Sequence, residues 1–193
     1  MLPALAFIIT LIITALLTPL VRKLAVRFDV LDYPDGDRKI HATPTPLLGG
    51  ISLYVGFTVV VGSIFFMYPG VILGKDLSIS ALWGVALGGA ILMFGGWFDD
   101  RYRLAPRYQL LWSATAAIMA MLSGVGAHVI TNPCGGVITL TPIVSAVVTF
   151  GWLMGIMYTT KLLDGLDGLV TGIGAIGSLI VFSLTQFTPF YQP

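Results

Sequence analysis

The sequence predicts an all-α protein, a polytopic transmembrane helical bundle. Of its 193 residues, 56% are hydrophobic and only 10% are charged, whereas soluble domains carry roughly 25% charged residues. Several apolar runs approach the roughly 20 residues that an α-helix needs to cross a bilayer. These runs lack the alternation of polar and apolar residues that is typical of outer-membrane strands.

Hydropathy divides the chain into about six spans. They are Leu2–Leu20, Leu47–Met67, Ile79–Phe98, Tyr108–Val125, Val137–Thr159 and Leu169–Phe187. The first span has no basic segment before its apolar run and is followed by further spans, so we expect a transmembrane helix and not a cleaved signal. No soluble domain or repeat is evident, and residues 1–193 are predicted to form a single membrane domain. Within the third span, Gly84 and Gly88 form a small-xxx-small pattern that is typical of close helix packing.

The charged residues are predicted to gather on one side of the membrane. Alternating spans bring the first, third and fifth connecting loops together, and these loops carry nine of the ten basic residues. The positive-inside rule makes that side cytoplasmic and places the N-terminus outside. Eight of the nine acidic residues share this side, although the rule is nearly indifferent to carboxylates. We therefore predict a polar site at the cytoplasmic face, with an anionic phosphate ligand and carboxylates that hold a divalent cation.

Two adjacent carboxylates end the third span in the stretch DDRYRLAP. Asp99 and Asp100 are followed there by Arg103. Adjacent carboxylates raise each other's proton affinity unless a cation lies between them. A metal or a proton is therefore expected at this pair, and the alternative is a solvated loop that stops translocation.

A second acidic pair lies in the fifth loop, in the stretch KLLDGLDGLVTG. Asp164 and Asp167 are three residues apart, which on a helix places them on one face, and the glycine after each allows sharp turns. Protein sites hold Mg²⁺ through one or two carboxylates together with substrate phosphates. The alternative is an ordinary turn between helices.

The first loop contains a basic cluster in the stretch DYPDGDRKIHATPTPLLGG. Arg38, Lys39 and His41 precede prolines that stiffen the backbone and glycines that allow close approach. Such a loop can present cations to a phosphate with little ordering of the chain. The alternative is a basic loop that only sets topology.

Three motifs occur in order, RKIHATPTPLLGG, GGWFDDRYRLAP and KLLDGLDGLVTG, and with them the sequence resembles the polyprenyl-phosphate N-acetylhexosamine-1-phosphate transferases over nearly its whole length. The first motif looks more like the GlcNAc-1-phosphate branch than the MurNAc-pentapeptide branch. The resemblance implies that UDP-GlcNAc, or another UDP-N-acetylhexosamine, reacts with polyprenyl phosphate, such as undecaprenyl phosphate. The products would be polyprenyl-diphospho-sugar and UMP, made at the cytoplasmic face of the inner (plasma) membrane with Mg²⁺, or Mn²⁺ in its place. No nucleic-acid partner is expected.

The resemblance also implies roles for individual residues. Asp99 and Asp100 match the family's aspartate pair, Asp167 matches the second aspartate of DGxDG, and these three are the predicted catalytic residues. Asp164 matches the aspartate taken as the magnesium ligand. The predicted substrate-binding residues are Arg38, Lys39, His41, Lys161 and Arg103.

Three departures from the family pattern matter. Lys161 and Tyr158 replace two asparagines before DGxDG, so an ammonium is expected to contact phosphate or uracil oxygens in place of an amide. Arg103 replaces a third acidic residue, and the expected consequence is either weaker metal binding or another phosphate contact. Relatives have about ten spans and a later histidine-rich loop, so we expect the family's N-terminal portion, as a truncated product or a short form that pairs with itself or with a complementary subunit.

Two other functions fit parts of the sequence. A catalytically degenerate scaffold or half-protein subunit would retain the site residues without turnover, and the substitutions at Lys161 and Tyr158 favour it. A small transporter would carry charges at the membrane midplane or broken helices. The charges of this chain lie at span ends, which argues against transport.

Overall fold

The computed structural model describes residues 2–33, 43–68, 78–132, 135–165 and 168–187. The chain divides into two compact units, Met1–Val125 and Gly126–Pro193. The described residues are largely helical, with two short antiparallel strand pairs. Four helices are long and apolar enough to cross a membrane, which agrees with the predicted all-α polytopic fold.

The described residues of the first unit form four helices and one strand pair. In chain order these elements are α1 (Leu2–Arg27), β1 (Leu31–Asp32), β2 (Thr45–Pro46), α2 (Gly49–Met67), α3 (Ile79–Tyr102) and α4 (Pro106–Leu122). Strand β1 pairs with β2 in the register Leu31 to Pro46 and Asp32 to Thr45. Each helix packs against the next one along the chain, antiparallel to it.

Small residues bring these helices close together. On α3, a Cβ at Gly88 would lie 3.1 Å from the backbone oxygen of Ala116 on α4, and a Cβ at Gly84 would overlap Ser123. Lipid tails are as apolar as the side chains of a membrane helix, so hydrophobic burial does not drive such helices together. They associate instead through close backbone packing of this kind. The small-xxx-small pattern of the third span is therefore a packing motif in the structure.

Polar side chains join α1, α2 and α3. The Thr18 hydroxyl on α1 donates to the Ser52 hydroxyl on α2 at 3.4 Å. The Tyr54 hydroxyl on α2 donates to the Ala86 carbonyl on α3. A hydroxyl group in apolar surroundings needs such a partner. Transfer free energies put the cost of an unsatisfied donor there at several kcal/mol.

In the part of the second unit that the structure describes there are one strand pair and two helices. They are β3 (Val129–Thr131), β4 (Val137–Thr139), α5 (Pro142–Leu163) and α6 (Leu169–Phe187). The Ala127 amide donates to the Thr149 hydroxyl of α5 at 2.9 Å and ties the segment before β3 to that helix. Gly168 begins the entry to α6 with a φ of +79°, a left-handed conformation that favours glycine.

Each of the six predicted spans coincides with a helix, although several boundaries were wrong. Helix α1 continues to Arg27, past the predicted end at Leu20, because long basic side chains can reach the headgroup layer while the helix goes on. The fifth span begins at Pro142 and not at Val137. Val137–Thr139 is instead β4, where β-branched residues pair with a second Val-Ile-Thr stretch. Within the described residues, α4 and α6 are not among the helices that are long and apolar enough to cross a membrane. The count of six spans therefore stays a prediction.

Candidate functional site

One end of the first unit carries the charged side chains of its described residues, and we call it the polar end. It consists of the C-terminal ends of α1 and α3, the strand pair β1–β2, and the N-terminal ends of α2 and α4. The Leu47 amide donates to the Val30 carbonyl at 3.2 Å and holds the strand pair to α1. The described parts of the first and third loops therefore meet at one end, as the alternation of spans predicts.

The aspartate pair lies within the last turn of α3. Helix α3 extends to Tyr102, so Asp99 and Asp100 are helical and not part of the loop predicted from Asp99 onward. Both residues are half-buried. Carboxylates are unfavourable at a helix C-terminus, where unpaired carbonyls give a partial negative charge. The position of the pair therefore favours a cation close to these side chains.

Gln109 on α4 holds one of these carboxylates. Its Nε2 donates to Oδ1 of Asp99 at 2.7 Å, and the bond is partly buried. Three residues, 103–105, connect α3 to α4, and Pro106 begins α4 at a position where its missing N–H is harmless. One turn deeper, the rings of Phe98 and Trp112 stack with centroids 6.2 Å apart, which keeps the ends of the two helices in register.

A second contact at the polar end links the first loop to α3. The Tyr33 hydroxyl donates to Oδ1 of Asp29 at 2.6 Å, and the Arg101 guanidinium lies 3.9 Å from Oδ2 of the same carboxylate. The hydrogen bond from Tyr33 to Asp29 raises the pKa of Tyr33 above its ordinary value. Desolvation and the negative charge of Asp29 raise it further by smaller amounts. Asp29 has a φ of +54°, which is uncommon for an L-residue.

Arg103 forms the C-cap of α3. Its backbone is left-handed, with φ 48° and ψ 59°, and its amide donates to the Asp99 carbonyl at 2.8 Å. Glycine is the usual residue in this conformation because it has no Cβ to crowd the backbone. The Arg103 side chain is exposed.

In the second unit, α5 ends beside the DG motif. Asp164 is the C-cap of α5, with φ −77° and ψ 41°, and it is exposed. Lys161 lies in the last helical turn, where a cation complements the partial negative charge of the helix end. The helix ends before Asp164, and Asp164 and Gly165 form a turn after it. This turn does not exclude a metal ligand.

Several predicted site residues lie outside the described residues. They are Arg38, Lys39, His41 and Asp167. Asp99, Asp100 and Arg103 belong to the first unit, while Lys161 and Asp164 belong to the second. The structure brings the first three together at the polar end, and the convergence of both groups on one site stays a prediction.

The described residues do not include a group of three or more His, Cys, Asp or Glu side chains that could form a protein-only metal cage. Magnesium sites that act on phosphates rarely use such a cage, since one or two carboxylates and the substrate complete the coordination. Asp164 has an exposed carboxylate at a helix end whose carbonyls also attract cations. Its chemistry therefore fits Mg²⁺, which is expected to bind together with a phosphate ligand.

The sequence analysis did not single out Gln109, Asp29, Tyr33 or Arg101 for contact with one another. A weak signal for Gln109 was available: a tight link closed by Pro106 makes α3 and α4 antiparallel neighbours, so residues on either side of it face each other. No comparable signal exists for the Asp29 contacts. They depend on a left-handed turn at a non-glycine residue, which local sequence does not reveal.

The chain matches the family model described as glycosyl transferase family 4 over residues 82–191. It is 34% identical over 174 residues to the decaprenyl-phosphate N-acetylglucosaminephosphotransferase of Mycobacterium tuberculosis, with 88% of this chain and 42% of the relative covered. It is 27% identical over 177 residues to the undecaprenyl-phosphate alpha-N-acetylglucosaminyl 1-phosphate transferase of Escherichia coli, with 86% of this chain and 42% of the relative covered.

A third relative comes from Bacillus subtilis and bears the name "Probable undecaprenyl-phosphate N-acetylglucosaminyl 1-phosphate transferase". It is 27% identical over 172 residues, with 89% of this chain and 45% of the relative covered. The chain thus spans less than half the length of the curated relatives that it matches. No solved structure matches the chain.

Proposed function

The chain belongs to glycosyl transferase family 4, and from this membership we propose that it transfers N-acetylhexosamine-1-phosphate, specifically GlcNAc-1-phosphate, from a UDP-sugar to a membrane polyprenyl phosphate. The products are polyprenyl-diphospho-GlcNAc and UMP. The names of the three relatives, each a transferase of this kind onto a polyprenyl phosphate, support the proposal. We place the reaction at the cytoplasmic face of the inner (plasma) membrane, because most basic residues lie in loops of one predicted side.

The observation that carries the proposal is the position of the carboxylates at helix C-termini. Asp99 and Asp100 end α3, and Asp164 ends α5. Each helix terminus adds its own partial negative charge, so all three carboxylates are in places that disfavour anions without a cation. A divalent cation that binds together with a diphosphate would offset the negative charge of the carboxylates and of the helix ends.

In the proposed reaction, an oxygen of the lipid phosphate attacks the β-phosphorus of UDP-GlcNAc. The bond between this phosphorus and the oxygen that bridges to the α-phosphate breaks, and the electron pair leaves with UMP. Asp99 or Asp100 orients or deprotonates the lipid phosphate, and Arg103 and Lys161 offset the charge of the two anions. Mg²⁺ held by Asp164, when bound, would neutralise the diphosphate and stabilise the leaving group.

Release of UMP tests the proposal. Purified protein in detergent, with undecaprenyl phosphate, Mg²⁺ and labelled UDP-GlcNAc, should release UMP, and Asp164→Asn should lower the rate by roughly three orders of magnitude, as loss of one essential electrostatic group does. Asp29→Asn is the matched control, since it removes a carboxylate that has no assigned role in the chemistry. An unchanged rate in Asp164→Asn would refute the metal assignment. Binding of UDP-GlcNAc without UMP release would favour a degenerate scaffold.

A further inference from the structure

An open groove with a volume of about 420 Å³ lies on α1, and the described residues that line it are Pro19, Arg22, Lys23 and Val26. We call it the α1 groove. At 100° per residue these positions fall within an arc of about 100° on one face of the helix. Val21 and Ala25, which are buried, lie on the other side of α1. Among the described residues of the first unit, the groove therefore lies on the side of α1 opposite its buried residues.

The groove combines two cations with an apolar floor. Arg22 and Lys23 flank it, while Pro19 and Val26 supply the apolar surface. The sequence has no acidic residue before Asp29, and within the described residues Arg22 and Lys23 have no ion pair. Two neighbouring cations beside exposed hydrocarbon complement an anionic headgroup that carries an apolar chain.

The length of α1 places the groove at headgroup depth. The helix has 26 residues, which makes it about 39 Å long, and the hydrocarbon core of a bilayer is about 30 Å thick. The apolar residues begin at the N-terminus of α1, so the excess length lies at the C-terminal end, where the two cations are. Lipid phosphates occupy the same layer.

From these observations we propose that the α1 groove binds the phosphate-bearing headgroup of one anionic bilayer phospholipid. The site is separate from the aspartate pair and does not depend on the proposed transferase activity. Arg22 and Lys23 contact the phosphate, and the acyl chains lie along Pro19 and the apolar face that precedes it. A bilayer lipid is favoured over a lipid substrate because the described residues that line the groove include no carboxylate that could act on a reacting phosphate.

Native mass spectrometry of the purified full chain tests this proposal, with phosphatidylglycerol and phosphatidylcholine as probes. The wild type should retain one phosphatidylglycerol with roughly thirtyfold higher affinity than phosphatidylcholine, given about a fivefold gain for each of the two basic residues at a membrane surface. Val26→Glu should abolish this preference, since its carboxylate competes with the phosphate for both cations. Val26→Gln, which has the same shape and no charge, should retain the preference.

Lys23→Gln provides a second measurement that does not depend on the folding of Val26→Glu. It should reduce phosphatidylglycerol affinity by roughly fivefold, whereas Arg27→Gln, a matched loss of charge on α1 outside the lining residues, should leave it unchanged. Equal retention of the two lipids by the wild type would overturn the proposal, as would identical behaviour of Val26→Glu and Val26→Gln. Displacement by an equimolar amount of undecaprenyl phosphate, or by millimolar inorganic phosphate, would overturn the assignment to a bilayer phospholipid.

Discussion

At the scale of single residues, the contact between Gln109 and Asp99 fixes the orientation of one carboxylate of the aspartate pair. One carboxylate oxygen of Asp99 accepts a hydrogen bond from the Gln109 amide at 2.7 Å. A neutral donor of this kind orients a carboxylate without cancelling its charge, so Asp99 remains able to act on a cation or a proton. In the proposed reaction, Gln109 is therefore a positioning residue.

We predict that Gln109→Leu lowers the rate constant for UMP release by roughly tenfold while the KM for UDP-GlcNAc changes little. A hydrogen bond to a charged group contributes about 1.5 kcal/mol, which corresponds to about a tenfold change in rate. Steady-state kinetics measures both constants. Thr115→Val on the same helix is the control, because its hydroxyl bonds only within α4 to the Leu111 carbonyl at 2.7 Å. A rise in KM with an unchanged rate constant would contradict the positioning role.

Arg103 combines a strained backbone with a candidate phosphate contact, and the two can be separated. Arg103→Gly removes the cation and also relieves the left-handed conformation at φ 48°. We expect the free energy of unfolding to rise by about 1 kcal/mol, the usual penalty of this conformation for an L-residue, while UDP-GlcNAc binding weakens.

Arg103→Ala is the matched comparison, since it removes the same charge and keeps the strain. Denaturation in detergent and calorimetric titration with UDP-GlcNAc measure the two effects. If both variants bound UDP-GlcNAc as tightly as the wild type, Arg103 would be only a helix cap.

At the scale of helices, α3 and α4 owe their close packing to glycines on one side of α3. A Cβ at Gly95 would overlap the Trp112 side chain on α4, whereas a Cβ at the neighbouring Gly96 would meet nothing within 4 Å. Substitutions at Gly95 and Gly96 therefore separate the effect of packing from the effect of replacing a glycine in a helix. Both glycines also lie one helical turn before the aspartate pair, so substitutions there test what holds Asp99 and Asp100 in place.

We predict that Gly95→Ala lowers the free energy of unfolding by about 1–3 kcal/mol, as overpacking of a well-filled interface does. Gly96→Ala should raise it, by at most about 1 kcal/mol, because alanine is the better helix former. Unfolding in mixed micelles, followed by circular dichroism, measures both. Equal stability of the two variants would mean that Trp112 moves aside and that α3 and α4 are not tightly packed.

The existence of each helix could be predicted from the sequence, whereas the ends of the helices could not. Hydropathy summed over a bilayer-length window finds long apolar helices, and each predicted span coincides with a helix of the structure. Helix ends depend on single residues instead, and backbone hydrogen bonds continue through the polar turn Asp99–Tyr102 beyond the apolar run. Val137–Thr139 was assigned to a helix because apolarity alone does not distinguish a β-branched strand from a helix.

At the scale of the whole chain, the candidate site was predictable in its chemistry and only partly in its geometry. Counting charges by loop placed Asp99, Asp100 and Arg103 on one side, and the polar end of the first unit confirms that the first and third loops meet. The contact of Asp99 with Gln109 depends on the length of the α3–α4 link and on rotamers, which composition does not determine. The relation of these residues to Asp164 concerns two separate units and stays a prediction.

Binding of Mn²⁺ in place of Mg²⁺ tests whether the two units share one cation. With UDP-GlcNAc present, electron paramagnetic resonance of free Mn²⁺ should report one bound ion per chain. Asp164→Asn and the double substitution Asp99→Asn with Asp100→Asn should each weaken this ion by on the order of tenfold or more, since either removes negative charge within a few ångströms of it.

Combining all three substitutions distinguishes one shared ion from two independent ions. If one ion is shared, the losses should not add, because the first substitution already removes most of the affinity that the others support. If each unit held its own ion, the wild type would bind two, and each substitution would remove only one. Two bound ions with independent losses would refute the proposal that carboxylates at the ends of α3 and α5 act on the same diphosphate.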